Sequence, residues 1–147
     1  NEKERMQKGV KPPDAGSWSR QLYDMFVFDQ LIGNIDRNQG NFLADTNWRL
    51  WMVDHTRTFS RDARLPNPER VTHCSRPLWT ALRALEPATV KARLSPYIGR
   101  FEQEAVFKRR AKVVELLEKR IAERGEKRVI FDYAGPPPEA PAALPPS

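Results

Sequence analysis

The sequence predicts a mainly α-helical domain that carries one small β-hairpin. Apolar residues recur at helical spacing over 18–32 and again over 101–124, and two short apolar runs flank an Asp/Asn-rich turn. The 147 residues are enough for one domain or part of one, and a hydrophobic content of 39% is typical of a globular protein. No run of about eighteen apolar residues is present, so we expect no membrane-spanning helix.

The first part of the chain divides into an arm, a helix and a loop. Residues 1–16 are polar, Lys-rich and interrupted by Pro12-Pro13, which predicts an irregular arm or linker. A helix follows over 18–32, with Ser17 as its N-cap. Because this helix is apolar on most sides, we expect it to be buried in the middle of the domain. Gly33 ends it through a left-handed cap and begins a polar loop.

A β-hairpin is predicted after this loop. The apolar runs 41–44 and 49–53 lie on either side of the turn formed by residues 45–47. Since a hairpin returns the chain towards its start, we expect Asp54 to lie beside Asn41.

The rest of the chain is predicted to be helical, with a proline-rich end. The elements expected here are a long polar loop over 56–76, a helix from Pro77 through Leu85, a short helix after Pro87, a long helix over 101–124 ended by Gly125, and a short strand or docking segment at 129–131. Residues 17–133 are therefore predicted as the folded unit, and residues 134–147 as a Pro-rich disordered tail.

Charge and cysteine content restrict the partners and the compartment. The net charge is +6, and much of the basic excess lies between residues 108 and 128. Acidic and basic residues there alternate at helical i,i+4 spacing and no aromatic residues interleave, so a solvated helix face is favoured and a nucleic-acid partner is not. The single Cys74 can form no internal disulfide, which favours a reducing compartment and predicts a cytoplasmic protein.

Three polar residues in the loop and hairpin carry the chemical prediction. Asn41 follows Asp36 by five residues, and Asp54 lies at the far end of the hairpin. A loop carboxylate can accept the proton of an incoming hydroxyl, whereas an amide oxygen and a second carboxylate are hard ligands suited to Mg²⁺ beside nucleotide phosphates. Protein kinases present a base and two metal ligands in this order around a hairpin. The pattern therefore predicts an ATP- and Mg²⁺-dependent phosphotransferase.

Simpler roles for these residues stay open. Asp36 can cap a turn, Asn41 can bond to the backbone, and His55 can be a structural histidine. A Ca²⁺ loop of the EF-hand kind beginning at Asp36 is not favoured, because it would need Gly and Glu where Asn41 and Asn47 stand. No Walker A, HExxH or GxSxG pattern occurs.

Two sequence segments resemble known kinases. Leu31-Ile32-Gly33-Asn34-Ile35-Asp36, followed by Asn41-Phe42, resembles the catalytic loop of HipA-type kinases. With Val53-Asp54-His55-Thr56-Arg57-Thr58-Phe59, this loop is also similar to phosphoinositide 3- and 4-kinases and to the Fam-type secretory kinases. The resemblance is strong over residues 22–59. It implies the C-terminal lobe of an atypical protein-kinase-like fold.

The resemblance also implies roles for individual residues. Asp36 is expected to be the catalytic base, with Asn41 and Asp54 as Mg²⁺ ligands and ATP as the phosphate donor. The expected supporting residues of the catalytic loop are Asn34, Arg37 and Asn38, and the candidate contacts to phosphate or substrate are His55 and Arg57. There are two departures. Asn38 stands where the HipA-like and phosphoinositide families usually have His, which leaves the substrate class open, and His55-Thr56 replaces the Phe-Gly of protein kinases, which removes their Phe packing switch.

The part of a kinase that covers ATP is not recognisable here. The sequence shows no Gly-rich phosphate loop, no Val-Ala-Ile-Lys-like strand and no glutamate identifiable as its partner. We therefore expect an N-lobe upstream, in a longer protein of which this chain is a C-terminal piece, and little activity from this piece alone. The acceptor would be a hydroxyl of a protein, lipid or small molecule. The alternative is a non-catalytic kinase-like (pseudokinase) binding module; retention of Asp36, Asn41 and Asp54 favours catalysis.

Overall fold

The computed structural model describes the whole chain, residues 1–147. Its elements in chain order are α1 (Glu2–Gln7), α2 (Ala15–Ile32), β1 (Phe42–Ala44), β2 (Leu50–Met52), a 3₁₀ turn (Pro68–Arg70), β3 (Cys74–Ser75), α3 (Arg76–Ala84), α4 (Pro87–Leu94), α5 (Arg100–Arg124), α6 (Glu126–Val129) and β4 (Ile130–Phe131). The protein is mainly helical with a small antiparallel hairpin, as the sequence predicts. None of these helices combines the length and the apolar character needed to cross a membrane.

Helix α2 lies between two apolar clusters and contributes to both. Val27 is fully buried in the first, whose other members come mainly from α3, α5 and the chain around β3 and β4: Val71, Cys74, Trp79, Leu82, Val113, Leu117, Val129 and Ile130. The second contains Trp18, Tyr23, Met25, Phe26, Phe42, Phe131 and Leu144. The expected central position of this helix is confirmed, because apolar side chains on most of its sides find partners.

Both ends of α2 are set by short-range hydrogen bonds. The N-cap is Asp14, not Ser17, and its carboxylate accepts a hydrogen bond from Ser17 N at 2.9 Å. The prediction was wrong by one turn, since Ser17 is the third helical residue and its N–H is the group that is capped. At the other end Gly33 has φ of +67°, and Asn34 N donates to Asp29 O at 2.8 Å. The left-handed cap is confirmed.

The N-terminal arm is not wholly irregular. It contains α1, whose first turn is capped by Asn1: the Asn1 side chain accepts a hydrogen bond from Glu4 N at 2.9 Å. Arg5 pairs with Glu2 on the same helix, with 2.5 Å between Nη2 and Oε1. The expectation of an irregular segment over 1–16 is therefore corrected for its first half, where the polar composition masks a capped helix stabilised by an ion pair.

The predicted hairpin is present. β1 and β2 pair antiparallel, with Phe42 opposite Met52, Leu43 opposite Trp51 and Ala44 opposite Leu50. Beyond the last pair, Val53 N donates to Asn41 O at 3.1 Å, so the pairing continues to the residue before Asp54. The expected neighbourhood of Asn41 and Asp54 follows from this register.

The segment expected to be one long loop, 56–76, contains more structure than predicted. It includes the 3₁₀ turn and β3, which pairs in parallel with β4. β3 is also held by Ser75 N, which donates to the Asp24 carboxylate at 2.9 Å. The partner strand is remote in sequence, so local pattern could not reveal it. The three helices predicted after this segment occur as α3, α4 and α5.

The Pro-rich tail has no helix or strand, but it packs against the body of the protein. Leu144 is buried and belongs to the second apolar cluster. The tail is held by hydrogen bonds from Arg20 to Gly135 O and from Tyr23 Oη to Glu139 O, the latter at 2.7 Å. The prediction of a disordered tail was based on the composition of residues 134–147 alone, whereas the hydrogen-bond donors that hold the tail lie on α2. The predicted domain limits, 17–133 with flanking segments, stay a prediction.

Candidate active site

The loop after α2 is organised by a buried ion pair. Asp29, in the last turn of α2, accepts hydrogen bonds from Arg37 through both carboxylate oxygens: Nε lies 2.8 Å from Oδ2 and Nη2 lies 2.9 Å from Oδ1. Both side chains are only 4% exposed. A planar guanidinium bound in this two-point manner has one orientation, so Arg37 is fixed relative to α2.

Arg37 also holds the hairpin. Its Nη1 donates to Asn41 O and, at 3.1 Å, to Val53 O. These two carbonyls belong to opposite sides of the hairpin base, immediately beside the two predicted metal ligands. A single buried side chain therefore joins the end of α2, the loop and both hairpin strands. Arg37 is therefore a structural residue of the loop after α2, and its guanidinium is occupied by acceptors of the protein itself.

Asn34 connects the same carboxylate to Asp36. Asn34 is 1% exposed; its Nδ2 donates to Asp29 Oδ1 at 3.1 Å, and its Oδ1 accepts from Asp36 N at 3.0 Å. The amide is thus used at both ends. Asn34 therefore fixes the backbone of Asp36, the predicted base, and is itself held in place by the buried carboxylate of Asp29.

Asp36 keeps its carboxylate largely unused. Its backbone carbonyl accepts hydrogen bonds from Asn41 Nδ2 at 2.6 Å and from Asn38 Nδ2 at 3.3 Å. The carboxylate itself has one long contact, 3.5 Å from Asn38 Nδ2, and no salt bridge. A carboxylate without a strong partner, on a backbone held in place, is available to accept a proton from a hydroxyl.

Asn41 presents its amide oxygen. Because Nδ2 donates to Asp36 O, the side-chain amide is oriented, and Oδ1 is the atom left without a partner. Asn41 is partly buried, at the base of the hairpin. An oriented, unpaired amide oxygen at this position is a suitable oxygen ligand for a hard cation.

Asp54 lies on the other side of the hairpin base and is exposed. Its backbone has φ of +56°, a left-handed conformation that few non-glycine residues adopt. The hydroxyl of Thr56 donates to Asp54 Oδ1 at 2.7 Å, and this hydroxyl together with the Thr56 N–H holds the pKa of the carboxyl below its ordinary value. The second oxygen, Oδ2, has no hydrogen-bond partner and stays free to bind a cation.

The two candidate phosphate contacts differ in their surroundings. His55 is exposed, with Nε2 3.1 Å from Arg37 Nη2. Because a guanidinium can only donate, this contact is a hydrogen bond when His55 Nε2 carries no proton. Arg57 is exposed and its side chain has neither an ion pair nor a hydrogen bond, whereas its carbonyl accepts from Ile35 N at 3.5 Å. Of the two, only Arg57 carries an unpaired positive charge.

The outer face of the hairpin next to Asn41 is apolar. Leu43 shares the side of β1 with Asn41, since alternate residues of a strand point the same way, and it pairs with Trp51 on β2. Leu43 is 37% exposed and Trp51 is 55% exposed. Two large apolar side chains therefore stand in solvent beside the candidate metal ligands.

The chain contains no cluster of three or more His, Cys, Asp or Glu side chains arranged to hold a metal. Asn41 and Asp54 alone would be a sparse set for a structural metal. They fit Mg²⁺, which retains waters and commonly binds through one or two protein ligands together with substrate phosphates.

Sequence reasoning did not identify Asp29, on which this arrangement depends. A signal was present: Asp29 is a carboxylate within the apolar run Phe26-Val27-Phe28-Asp29-Gln30-Leu31-Ile32. A charge in a helix predicted to be buried needs a partner of opposite charge. Arg37, eight residues later, is the partner.

Comparison with known proteins yields a similarity of fold. The structure resembles that of hydra Fam20 with sugar, with a TM-score of 0.61 and 19% sequence identity. The match covers 90% of this chain and 43% of the hydra chain, so the present chain spans less than half of that protein. At this identity the likeness concerns the fold alone, and it supports a kinase-like fold.

No family model matches the sequence, and neither does any curated protein. The resemblance to HipA-type and phosphoinositide kinases stays a prediction.

Proposed function

We propose that this chain is the C-lobe of an atypical kinase, which uses ATP and Mg²⁺ to phosphorylate a hydroxyl of a protein, lipid or small molecule. The observation that carries the proposal is the connection through Arg37 and Asp29: one buried ion pair fixes the loop of Asp36 and the hairpin base that carries Asn41 and Asp54. Catalysis of phosphoryl transfer depends on such fixed positioning. The kinase-like fold is consistent with it.

In this proposal Asp36 is the base. The acceptor oxygen forms a bond to the γ-phosphorus of ATP, the bond from that phosphorus to the bridging oxygen of ADP breaks, and the hydroxyl proton passes to the Asp36 carboxylate. The unpaired state of that carboxylate supports this role. Asn38, which contacts both the carbonyl and the carboxylate of Asp36, and Asn34 restrict its position.

Asn41 Oδ1 and the Asp54 carboxylate are proposed to hold Mg²⁺, which would neutralise charge on the phosphates. One neutral and one anionic ligand leave the ion with positive charge for the triphosphate. The depressed pKa of Asp54 keeps this carboxyl ionised in neutral and mildly acidic solution. Arg57 lies close in sequence, and its free charge is suited to phosphate.

The apolar face at Leu43 and Trp51 would take the base of the nucleotide. A flat aromatic base is stabilised by contact with exposed apolar and aromatic surface. Because this face adjoins Asn41 along β1, a ligand with a base at one end and a triphosphate at the other can reach both the face and the metal ligands. In the proposed kinase an upstream N-lobe would close over this exposed apolar face. Activity of the isolated chain is expected to be low for that reason.

The test uses Mn²⁺ in place of Mg²⁺, because paramagnetic Mn²⁺ broadens the NMR signals of nuclei near it. In the presence of ATP, the amide signals of Asn41 and Asp54 should broaden at low Mn²⁺ concentration. Asp54→Asn should remove the effect, whereas Glu115→Gln, an exposed acid on α5 with no ion pair, should not alter it. Asp36→Asn should retain the broadening but not phosphoryl transfer in the longer protein. Equal broadening in the Asp54→Asn variant would show that the metal assignment is wrong.

The alternative, a non-catalytic binding module, is separated by the same experiment. A module that has lost catalysis but kept its fold would show no metal-dependent broadening at the hairpin base, or would bind nucleotide without depending on Asp54.

A further inference from the structure

Gln39 is a buried polar residue two positions before the proposed metal ligand Asn41. It is 8% exposed, and its side-chain Nε2 donates to Leu144 O at 2.6 Å. Its backbone N–H donates to Pro145 O at 2.9 Å. The catalytic loop is therefore attached, through two consecutive carbonyls, to the end of the C-terminal segment 134–147.

The backbone of Gln39 is also held from the other side. Its carbonyl accepts a hydrogen bond from Lys3 N, in α1, at 3.1 Å. Neither its N–H nor its C=O is thus available to the loop itself. The loop has a local hydrogen bond from Asn41 N to Asn38 O at 3.0 Å, and of the two residues inside that turn, Gln39 is bonded to both terminal segments of the chain.

Phe42, the residue after Asn41, lies in the same apolar cluster as Leu144 of the C-terminal segment. Phe42 is 1% exposed and belongs to the apolar cluster that includes Leu144 and Trp18. The C-terminal segment is therefore connected to the chain on both sides of Asn41: by hydrogen bonds at Gln39, and at Phe42 through the apolar cluster that Phe42 shares with Leu144. Between them lies Gly40, the residue whose backbone has the widest conformational choice.

The composition of the segment suits it to this attachment. Proline has no backbone N–H, so a Pro-rich segment offers mainly acceptors, and its restricted φ lowers the entropy lost on docking. The body supplies the matching donors: Arg20 to Gly135 O, Tyr23 to Glu139 O and Gln39 to Leu144 O.

We propose that Gln39 and the C-terminal segment are positioning elements for Asn41. By fixing the backbone on both sides of Gly40, they keep the amide oxygen of Asn41 directed at the metal. The inference rests on the proposed Mg²⁺ role of Asn41. It adds a requirement that the motif of Asp36, Asn41 and Asp54 does not contain. The last residues of the chain, which are remote in sequence from the loop, contribute to metal–nucleotide binding through their hydrogen bonds with Gln39.

A pair of matched variants tests this. Gln39→Met and Tyr23→Phe each remove one side-chain donor to a carbonyl of the segment, the first beside Asn41 and the second distant from it in sequence. For each variant we would measure the dissociation constant of Mn²⁺–ATP by paramagnetic broadening, and the urea midpoint without metal or nucleotide. Loss of one hydrogen bond corresponds to about a fivefold change in an equilibrium constant. Both variants should lose stability, and only Gln39→Met should raise the dissociation constant, by about fivefold.

Deletion of residues 144–147 is the stronger version, since it removes both carbonyl acceptors and the Leu144 side chain. It should weaken Mn²⁺–ATP binding more than Gln39→Met does, and the synthetic peptide 134–147 added in excess should restore part of the loss. If the deletion prevents folding, the two point variants still decide the question.

Three results would overturn the inference. Equal weakening in Gln39→Met and Tyr23→Phe would show that the segment acts through overall stability. Wild-type binding in Gln39→Met, with binding abolished in Asp54→Asn, would remove the positioning role and leave the proposed metal site intact. Binding that does not depend on Asp54 would remove the proposed function and this inference together.

Discussion

Removal of Asp29 should destabilise the protein far more than removal of an exposed ion pair. In the Asp29→Ala variant the guanidinium of Arg37 stays buried but loses both carboxylate contacts, at 2.8 and 2.9 Å. Breaking a buried pair by deleting one partner costs about 3–5 kcal/mol, because an uncompensated charge is left behind. Asn34 also loses an acceptor in this variant. We expect a loss of free energy of unfolding at the upper end of this range.

Arg76→Met is the matched control. Arg76 also contacts two carboxylates, those of Glu126 and Asp132, each at 2.9 Å, but the three side chains are 47%, 56% and 57% exposed. Exposed ion pairs contribute little to stability, because water and salt screen the charges and the side chains lose entropy on pairing. The measurement is the midpoint of urea unfolding, monitored by circular dichroism. With a slope of about 2 kcal/mol/M, Asp29→Ala should lower the midpoint by about 2.5 M, and Arg76→Met should lower it by only a small fraction of that.

The double variant Asp29→Leu with Arg37→Met separates charge from packing. It removes both buried charges, so it should recover much of the stability that Asp29→Ala loses, although Asn41 O and Val53 O then lack a donor. A midpoint for Asp29→Ala equal to that of Arg76→Met would refute the reasoning. A double variant as unstable as Asp29→Ala would show that uncompensated charge is not the cause.

Two further predictions concern single positions. Burial holds the pKa of His73 below its ordinary 6.5, so the unfolded chain binds a proton near that pH and the folded chain does not. The contribution of His73 to the free energy of unfolding should therefore be complete above pH 6.5 and decrease as the pH is lowered below that value, by at most about 1.4 kcal/mol per pH unit. The urea midpoint of His73→Gln should depend less on pH than that of the wild type. At Gly33, φ is +67° and an added Cβ would lie 2.9 Å from Arg109 Cζ, in a buried side chain that cannot move aside. Gly33→Ala should lower the thermal midpoint, at a cost of about 2 kcal/mol, whereas Gly9→Ala, with φ also at +67° but open space, should cost about half as much; equal losses would contradict the steric argument.

The elements that sequence predicted well are those decided within a few residues. The burial of α2 follows from apolar residues on most of its sides, and its end follows from Gly33, the residue suited to a left-handed cap. The hairpin follows from two apolar runs around the turn at Asp45, whose carboxylate accepts from Asn47 N at 2.8 Å. The neighbourhood of Asn41 and Asp54 is a consequence of that hairpin.

The features that sequence did not predict depend on residues distant in the chain or on a choice between near-equal candidates. Ser17 and Asp14 are both good caps, and only the helix start decides between them. The docking of the tail joins Gln39 to Leu144 across 105 residues, and composition alone favoured disorder. Asp29 and its partner Arg37 are only eight residues apart. Their pairing still could not be predicted, because this spacing allows the loop to fold back onto α2 but does not require it.

The proposed site supplies few protein ligands to the metal, so the binding of metal and the binding of nucleotide should depend on each other. As the proposed Mg²⁺ ligands, Asn41 and Asp54 would supply two oxygen atoms, whereas Mg²⁺ demands octahedral coordination, so phosphate and water would supply the other positions. In the proposed function the protein would bind Mg²⁺ weakly without ATP and ATP weakly without Mg²⁺, and each would raise the affinity of the other by the same factor. Rigid protein ligands would raise the affinity for the metal–nucleotide complex, because little conformational entropy is then lost in ordering Asn41 and Asp54 on binding. The contacts of Arg37 with Asn41 O and Val53 O, and those of Gln39 with the C-terminal segment, fix the backbone next to both proposed ligands, so in this proposal they would lower the entropy lost when Mg²⁺ and ATP bind.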